Sequence, residues 1–239
     1  MTEQEWQASV DPFPLLRLLP AGTCRRKRLL LVCAAWRLVW DSLPEEGSRP
    51  ALGALEDLAE SAGAAQRSDV EWTAMQIEEP LWPQVWDDGG GFQPGWGAGT
   101  AAVAATMLVG AAAFDLGDAY LAAEAEAERA QEKVLREGAA PSRAWAHQMA
   151  LLSACVRDIF LNPFRPSPCL PPAVLCWNDG TVYRLAQGIY DERAFDRLPI
   201  LADALLDAGC DDEDLIAHCR SAGPHVRGCW AVDLILGKE

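Results

Sequence analysis

The sequence predicts an all-α protein, with an irregular helical N-terminal part and a compact C-terminal unit of four helices. Apolar residues recur at helical spacing in several stretches, as from Leu29 to Trp40. Helix start and stop signals are densest after residue 162, where they are separated by only a few residues. We therefore expect two regions, 1–162 and 163–239, and any domain boundary lies near Asn162 or in an irregular loop at 80–99.

The helices of the N-terminal region are marked by their first residues. Thr2 opens a capping box for a short helix, in which side chains satisfy backbone N–H groups that lack helical partners. Thr23 is expected to cap a long core helix that runs to about Ser42. Ser48 starts the next helix, and Ser68 opens a second capping box.

The segment 80–99 is the one long irregular stretch, and glycine, proline and tryptophan dominate it. Its tryptophans are Trp82, Trp86 and Trp96. Loops of this length are uncommon in compact domains and are often functional, and exposed aromatic side chains can anchor a protein partner. The alternative is that the tryptophans fold back over the helices, because each carries a large apolar surface.

Beyond this loop, an alanine-rich helix is expected from Thr100 to about Arg136, and another from Pro141 to Leu161. The four helices of the C-terminal unit follow. Their start and stop signals are, in order, Thr181, Asp196, Gly209, Asp211, Gly223-Pro224 and Gly237.

Composition limits the classes of function. The chain has 239 residues and a net charge of −15, a field that repels nucleic acid and anionic membranes, so we expect neither as a partner. The longest uncharged apolar run is too short for a bilayer, which needs about 20 residues. The first residues do not resemble a signal peptide, and eight cysteines without one indicate reduced thiols. We expect a cytoplasmic protein.

Both ends of the sequence resemble a large paralogous family of uncharacterised bacterial proteins. The C-terminal block contains RDIFLNPFRP, then LADALLDAGC, then HCRSAGPHVRGCWAVDLILGK, and the start reads MTEQEWQASVDPFPLLRLL. Residues 64 to 140 match the family poorly. The resemblance implies a native domain, and it implies no catalytic residues.

A cluster of four basic residues opens the long N-terminal helix. It consists of Arg25, Arg26, Lys27 and Arg28. Their charge is unfavourable at the positive end of the helix dipole. The cluster could therefore contact an anion or a partner protein, or it could be a solvated face that pairs with acidic residues of the remaining chain.

A set of cysteines and histidines near the C-terminus is the candidate metal site. The candidate ligands are Cys210, His218, His225 and Cys229, with Cys219 nearby. His225 and Cys229 are four residues apart, which on a helix places both on one face and suits two ligands of one tetrahedral zinc ion. However, no CxxC pair is present, and buried cysteine often serves as a small apolar residue. We therefore expect no cofactor, with zinc at these residues as the alternative.

Catalysis has less support from the sequence. A Cys–His catalytic pair needs the two side chains in hydrogen-bond reach, and the neighbours His218 and Cys219 point to different sides of a helix. No GxSxG motif is present. The predicted function is a non-catalytic protein-interaction or adaptor module whose partner is another protein. The alternative is a small metal-binding or thiol-dependent enzyme that uses the C-terminal Cys/His set.

Overall fold

The computed structural model describes residues 1–19, 24–61, 67–81 and 143–238. Over these residues the regular structure is helical, which confirms the all-α prediction. The α-helices are α1 (Glu3–Ala8), α2 (Pro12–Arg17), α3 (Arg25–Leu38), α4 (Ser48–Glu60), α5 (Arg67–Glu78), α6 (Arg143–Ile159), α7 (Pro172–Glu192), α8 (Leu198–Asp207), α9 (Glu213–Arg220) and α10 (Trp230–Leu236). Short 3₁₀ turns lie at Trp40–Ser42, Glu79–Leu81 and Phe195–Arg197.

The chain divides into two compact units, residues 1–156 and 157–239. The division falls inside α6, six residues before the expected boundary at 162. Asp158 near the end of α6 therefore belongs to the second unit. None of the helices in the described ranges is long and apolar enough to cross a membrane.

In the first unit, side-chain hydrogen bonds mark the starts of α1 and α2. The capping box of α1 is present: Glu5 N–H donates to Thr2 Oγ1 at 3.2 Å, and Thr2 N–H donates to the Glu5 carboxylate at 2.7 Å. Asp11 accepts from Phe13 N–H at 3.0 Å and so starts α2, a helix that the sequence analysis did not expect. Helix α5 begins at Arg67, one residue before the expected capping box.

The core of the first unit lies between α3, α4 and α5, with α4 packed against both others. Trp36 of α3 and Leu55 of α4 are fully buried. Glu56 is buried beside them, and Arg37 binds it through two nitrogens, at 3.1 and 2.9 Å from its carboxylate oxygens. Because both oxygens are paired, this acid is compatible with the apolar interior.

In the second unit, α7 to α10 pack around one apolar core. Helix α7 packs against α8 and α10, and α9 packs against both α8 and α10. The buried residues of this core include Leu201, Leu205 and Trp230. Pro199 lies in the first turn of α8, and Gly209 just after α8 has a φ of +81°, as expected for a left-handed helix end. Gly237 ends α10 in the same conformation, with a φ of +65°.

Helix α7 is interrupted just before Thr181, the residue at which the sequence predicts a helix start. Four residues from Trp177 to Gly180 have non-helical angles, and Asn178 and Asp179 have positive φ. The helix resumes at Thr181, as expected. However, the Thr181 hydroxyl donates to the Asn178 carbonyl at 2.7 Å instead of accepting an N–H. Arg184 also donates to the Asp179 carbonyl, so side chains satisfy the carbonyls that the interruption leaves without helical partners.

Three expected features of the other helix starts are wrong in detail. Asp212, not Asp211, caps α9 by accepting from Leu215 N–H at 2.9 Å. Asp196 lies in a 3₁₀ turn and does not cap α8, whose N-cap residue is Arg197. The last helix begins only at Trp230, so the connection 221–229 is not helical.

Candidate metal centre

Four side chains of the second unit bring their ligand atoms together. They are Asp158, His218, His225 and Cys229, and these atoms all lie within 4.8 Å of one another. They come from three places: the last turn of α6, the last turn of α9 and the connection between α9 and α10. A carboxylate, two imidazoles and a thiol are the ligand types that zinc takes in proteins.

The geometry of the connection brings His225 back toward α9. Gly223 has a φ of +81°, and a Cβ at this position would lie 2.8 Å from the backbone nitrogen of His225. Only glycine therefore fits this close approach without strain. The His225 ring consequently lies beside His218, with the two ring centroids 4.9 Å apart and the rings close to perpendicular.

Asp158 Oδ1 is the centre of the group. It lies 2.6 Å from His225 Nδ1 and 3.1 Å from His218 Nε2. His218 Nε2 also lies 3.2 Å from Cys229 Sγ. One nitrogen from each ring, one carboxylate oxygen and one sulfur thus converge on the same small volume.

Contacts with residues outside the group hold Asp158, His225 and His218 in place. Val226 N–H donates to Asp158 Oδ2 at 2.9 Å, which leaves Oδ1 directed at the histidines. His225 Nε2 lies 3.2 Å from both the carbonyl oxygen and the hydroxyl of Ser221. The Trp230 indole N–H donates to His218 Nδ1 at 3.1 Å. A backbone carbonyl, such as that of Ser221 beside His225, orients a metal-binding histidine by its other ring nitrogen.

For both Asp158 and His225, burial shifts the pKa in one direction and the interactions within the group shift it in the other. Burial alone would raise the pKa of Asp158, but hydrogen bonds and charge interactions with His218 and His225 outweigh it, and the pKa of Asp158 is lowered. For His225, burial would lower the pKa, but its hydrogen bond to Asp158 and the charge of that acid raise the pKa. Without a metal, the two groups therefore form a buried ion pair.

The same geometry argues against a catalytic thiol. Cys229 is fully buried, and burial, reinforced by the charge of Asp158, raises the pKa of its thiol well above the ordinary value. A nucleophilic cysteine needs a lowered pKa and access to substrate. In addition, Asp158 and Cys229 contact the same nitrogen of His218, whereas a catalytic triad places base and orienting acid on opposite nitrogens.

Three of the four metal ligands expected from the sequence are in this group. Cys210 is not: it is a buried residue shortly after the end of α8, and the fourth member of the group is Asp158. His225 and Cys229 do share the site, but the expected reason is wrong, because a non-helical connection and not a helix face brings them together. Cys219 is fully buried, and burial together with the nearby Asp158 and Cys210 raises the pKa of its thiol to about 12.

The sequence analysis missed Asp158. It is 3% exposed and follows the buried residues Cys155 and Val156, with fully buried Ile159 after it. An acid inside such an apolar helix end needs a partner, and that was the available signal.

The residues expected to bind a protein partner are not among these four ligands. Arg26 of the basic cluster pairs with Glu60 of α4 at 3.2 Å, and Arg25, Lys27 and Arg28 also have interaction partners in the structure. The tryptophans of the loop at 80–99, Trp82, Trp86 and Trp96, lie outside the described residues. A role for either group in binding stays a prediction.

No protein-family model, no curated protein and no solved structure matches this chain. The resemblance to a bacterial paralogous family therefore stays a prediction.

Proposed function

We propose that the protein binds zinc, and that the ion has a structural and not a catalytic role in the C-terminal unit. The ion is held by Asp158 Oδ1, His218 Nε2, His225 Nδ1 and Cys229 Sγ. The observation that carries the proposal is the convergence of these four ligand atoms within 4.8 Å of one another.

The chemistry of the ligands favours zinc over other common ions. Calcium and magnesium prefer oxygen ligands and larger coordination numbers, whereas this set offers two nitrogens, one sulfur and one oxygen. Four such ligands satisfy the tetrahedral preference of zinc. The outer partners of Asp158 and His225 also match those of known zinc ligands, a backbone N–H for the carboxylate and a backbone carbonyl for the ring.

Burial supports a structural role. Catalytic zinc sites keep one position open for water or substrate, whereas structural sites fill all four positions with protein ligands. Here the exposed fractions of the His218, His225 and Asp158 side chains are 16%, 7% and 3%, and Cys229 is fully buried. The ion would join the end of α6 to the connection before α10 and so stabilise the C-terminal unit.

The test is the metal content of the full chain, purified without a histidine tag and loaded with zinc chloride. We expect about one zinc ion per chain by elemental analysis, and cobalt in its place should give the absorption bands of a tetrahedral ion with a thiolate ligand. His225→Ala and Cys229→Ser should lose the ion. The matched controls are His147→Ala and Cys169→Ser, which remove an exposed histidine and an exposed cysteine. Equal metal content in all four variants would overturn the proposal.

Binding to another protein, the function expected from the sequence, is compatible with a structural zinc ion and stays a prediction. Affinity purification from the native cell tests it, with the variants Arg25→Glu and Trp82→Ala as separate probes of the basic cluster and the loop.

A further inference from the structure

The two histidines of the zinc site differ in what their outer nitrogens contact. His225 Nε2 faces a carbonyl oxygen, that of Ser221, at 3.2 Å. His218 Nδ1 faces the indole N–H of Trp230 at 3.1 Å. A carbonyl can only accept a hydrogen bond and an indole N–H can only donate one. The outer nitrogen of His225 therefore carries a proton in its contact, whereas the outer nitrogen of His218 accepts a hydrogen bond.

For His225, the outer contact favours metal binding. The Ser221 carbonyl requires a proton on Nε2, and a neutral ring then has its lone pair on Nδ1, the nitrogen that faces Asp158 and the proposed ion. This is the arrangement in which a backbone carbonyl fixes the tautomer of a metal-binding histidine.

For His218, the outer contact opposes metal binding. The indole donates to Nδ1, so the proton of the neutral ring is on Nε2, where it points at Asp158 Oδ1 and Cys229 Sγ. To bind an ion through Nε2, the ring must carry its proton on Nδ1 instead. These two tautomers of the ring differ only in the position of the one N–H proton. After the change, two N–H donors face each other, and the hydrogen bond to Trp230 is lost.

We propose that Trp230 sets the zinc affinity of this site, because its indole N–H holds His218 in the tautomer whose Nε2 cannot bind the ion. The inference rests on the proposed zinc site. Trp230 is a positioning residue, since it would act through His218 and does not touch the ion. It is also the first residue of α10 and is 8% exposed, so zinc binding leaves its indole N–H without this acceptor in the interior.

Whether the zinc affinity rises or falls when Trp230 is replaced distinguishes this role from a purely structural one. Trp230→Phe keeps an aromatic ring but has no N–H donor, so the competing hydrogen bond is absent. We expect the variant to bind zinc roughly three- to tenfold more tightly than the wild type, the range that corresponds to one net hydrogen bond. If Trp230 served only to pack the unit, its replacement would loosen the site and weaken zinc binding. Trp177→Phe, a partly buried tryptophan of the same unit, is the matched control and should leave the affinity unchanged.

The experiment measures the zinc Kd of the full chain by competition with a chelator, for the wild type and both variants. Nitrogen NMR of the His218 ring gives a second measurement that does not depend on a variant that folds. We expect the Nε2–H tautomer without metal and the Nδ1–H tautomer with zinc. An Nδ1–H tautomer in the metal-free protein, or a Trp230→Phe affinity that is unchanged or weaker, would overturn the inference and leave the zinc site intact. A wild type that takes up no zinc would overturn the proposed function and this inference with it.

Discussion

Asp158 Oδ1 lies 2.6 Å from His225 Nδ1, although the two residues are 67 positions apart in the chain. The contact is buried and charged, and it lies entirely within the C-terminal unit. It therefore has two consequences that can be measured separately. It stabilises the metal-free unit as an ion pair, and it places two ligand atoms where a zinc ion would bind both.

Asp158→Asn should destabilise the metal-free unit. The variant keeps the shape of the side chain but loses the charge that both His225 and Val226 N–H contact. We expect the free energy of unfolding to fall by about 2–3 kcal/mol, since hydrogen bonds to charged groups are stronger than neutral ones. The measurement is urea denaturation in the presence of chelator.

The control for Asp158→Asn is Asp214→Asn, which removes the carboxylate that pairs with Arg165 at an exposed position. Exposed ion pairs contribute about 0–1 kcal/mol, so this change should be nearly neutral. If the two variants had equal free energies of unfolding, the buried ion pair would contribute little to the stability of the unit.

The free energy of unfolding of the metal-free unit should fall at both high and low pH. The raised pKa of His225 gives stability while the ring is protonated, and this stability is lost as pH rises above about 6.5 through the raised pKa. The lowered pKa of Asp158 gives stability while the acid is ionised, and this is lost as pH falls below about 4 through the lowered pKa. Urea midpoints from pH 3 to pH 9, all with chelator, should pass through a maximum between these limits.

With zinc present, the slope above neutral pH should change sign. Zinc binding requires the loss of protons from His225 Nδ1 and Cys229 Sγ, so its stabilisation grows as pH rises. The matched comparison is the same urea series with and without zinc. Parallel curves would argue against coordination by these two residues.

Gly223→Ala should weaken both the fold and the site. The residue has a φ of +81°, and the new Cβ would lie 2.8 Å from His225 N and 3.2 Å from its ring. Such strain costs about 1–3 kcal/mol, and the displaced His225 should also reduce the zinc affinity. Gly188→Ala is the control, because a Cβ there meets nothing within 4 Å inside α7. It should stabilise the unit by up to about 1 kcal/mol, so a common response of both variants would contradict the argument.

Trp230→Ala should remove a large part of the core of the C-terminal unit. The side chain is 8% exposed and packs in the same core as Leu201 and Leu205. Truncation of a buried tryptophan costs about 3–5 kcal/mol, a large fraction of the usual stability of a domain. Ile200→Ala, at a position that is 56% exposed, should change stability by less than about 0.5 kcal/mol. Denaturation of both variants in chelator separates this effect from zinc binding.

Features that depend on neighbouring residues could be predicted from the sequence. The capping box at Thr2 and the left-handed glycines at 209 and 237 are present, because each is decided by a few adjacent backbone groups. Where two adjacent residues could both cap a helix, the sequence around them does not decide which one does. Asp211 and Asp212 are both suitable caps, and the choice of Asp212 depends on where α9 must begin for Leu215 to be buried.

The metal centre depends on contacts between distant residues, and these have no local pattern. The spacing of His225 and Cys229 matched a helix, but the close approach at Gly223 gives the connection another path. Cys210 has the right chemistry, yet the ligand group takes its fourth member from α6. The choice of Asp158 depends on tertiary packing, which the spacing of residues along the chain does not describe.

The separation of Asp158 from its histidines also matters while the protein is being made. A nascent chain presents Asp158 long before His225 is synthesised, 67 residues later. Until then this acid lacks its partner His225, and the end of α6 beside it lacks α10, which follows His225 in the chain. Closing so long a loop is an entropic cost that comes before any contact energy is gained. The C-terminal unit should therefore become protease-resistant only after translation has passed Cys229, and ribosome-bound chains arrested before that point should remain sensitive.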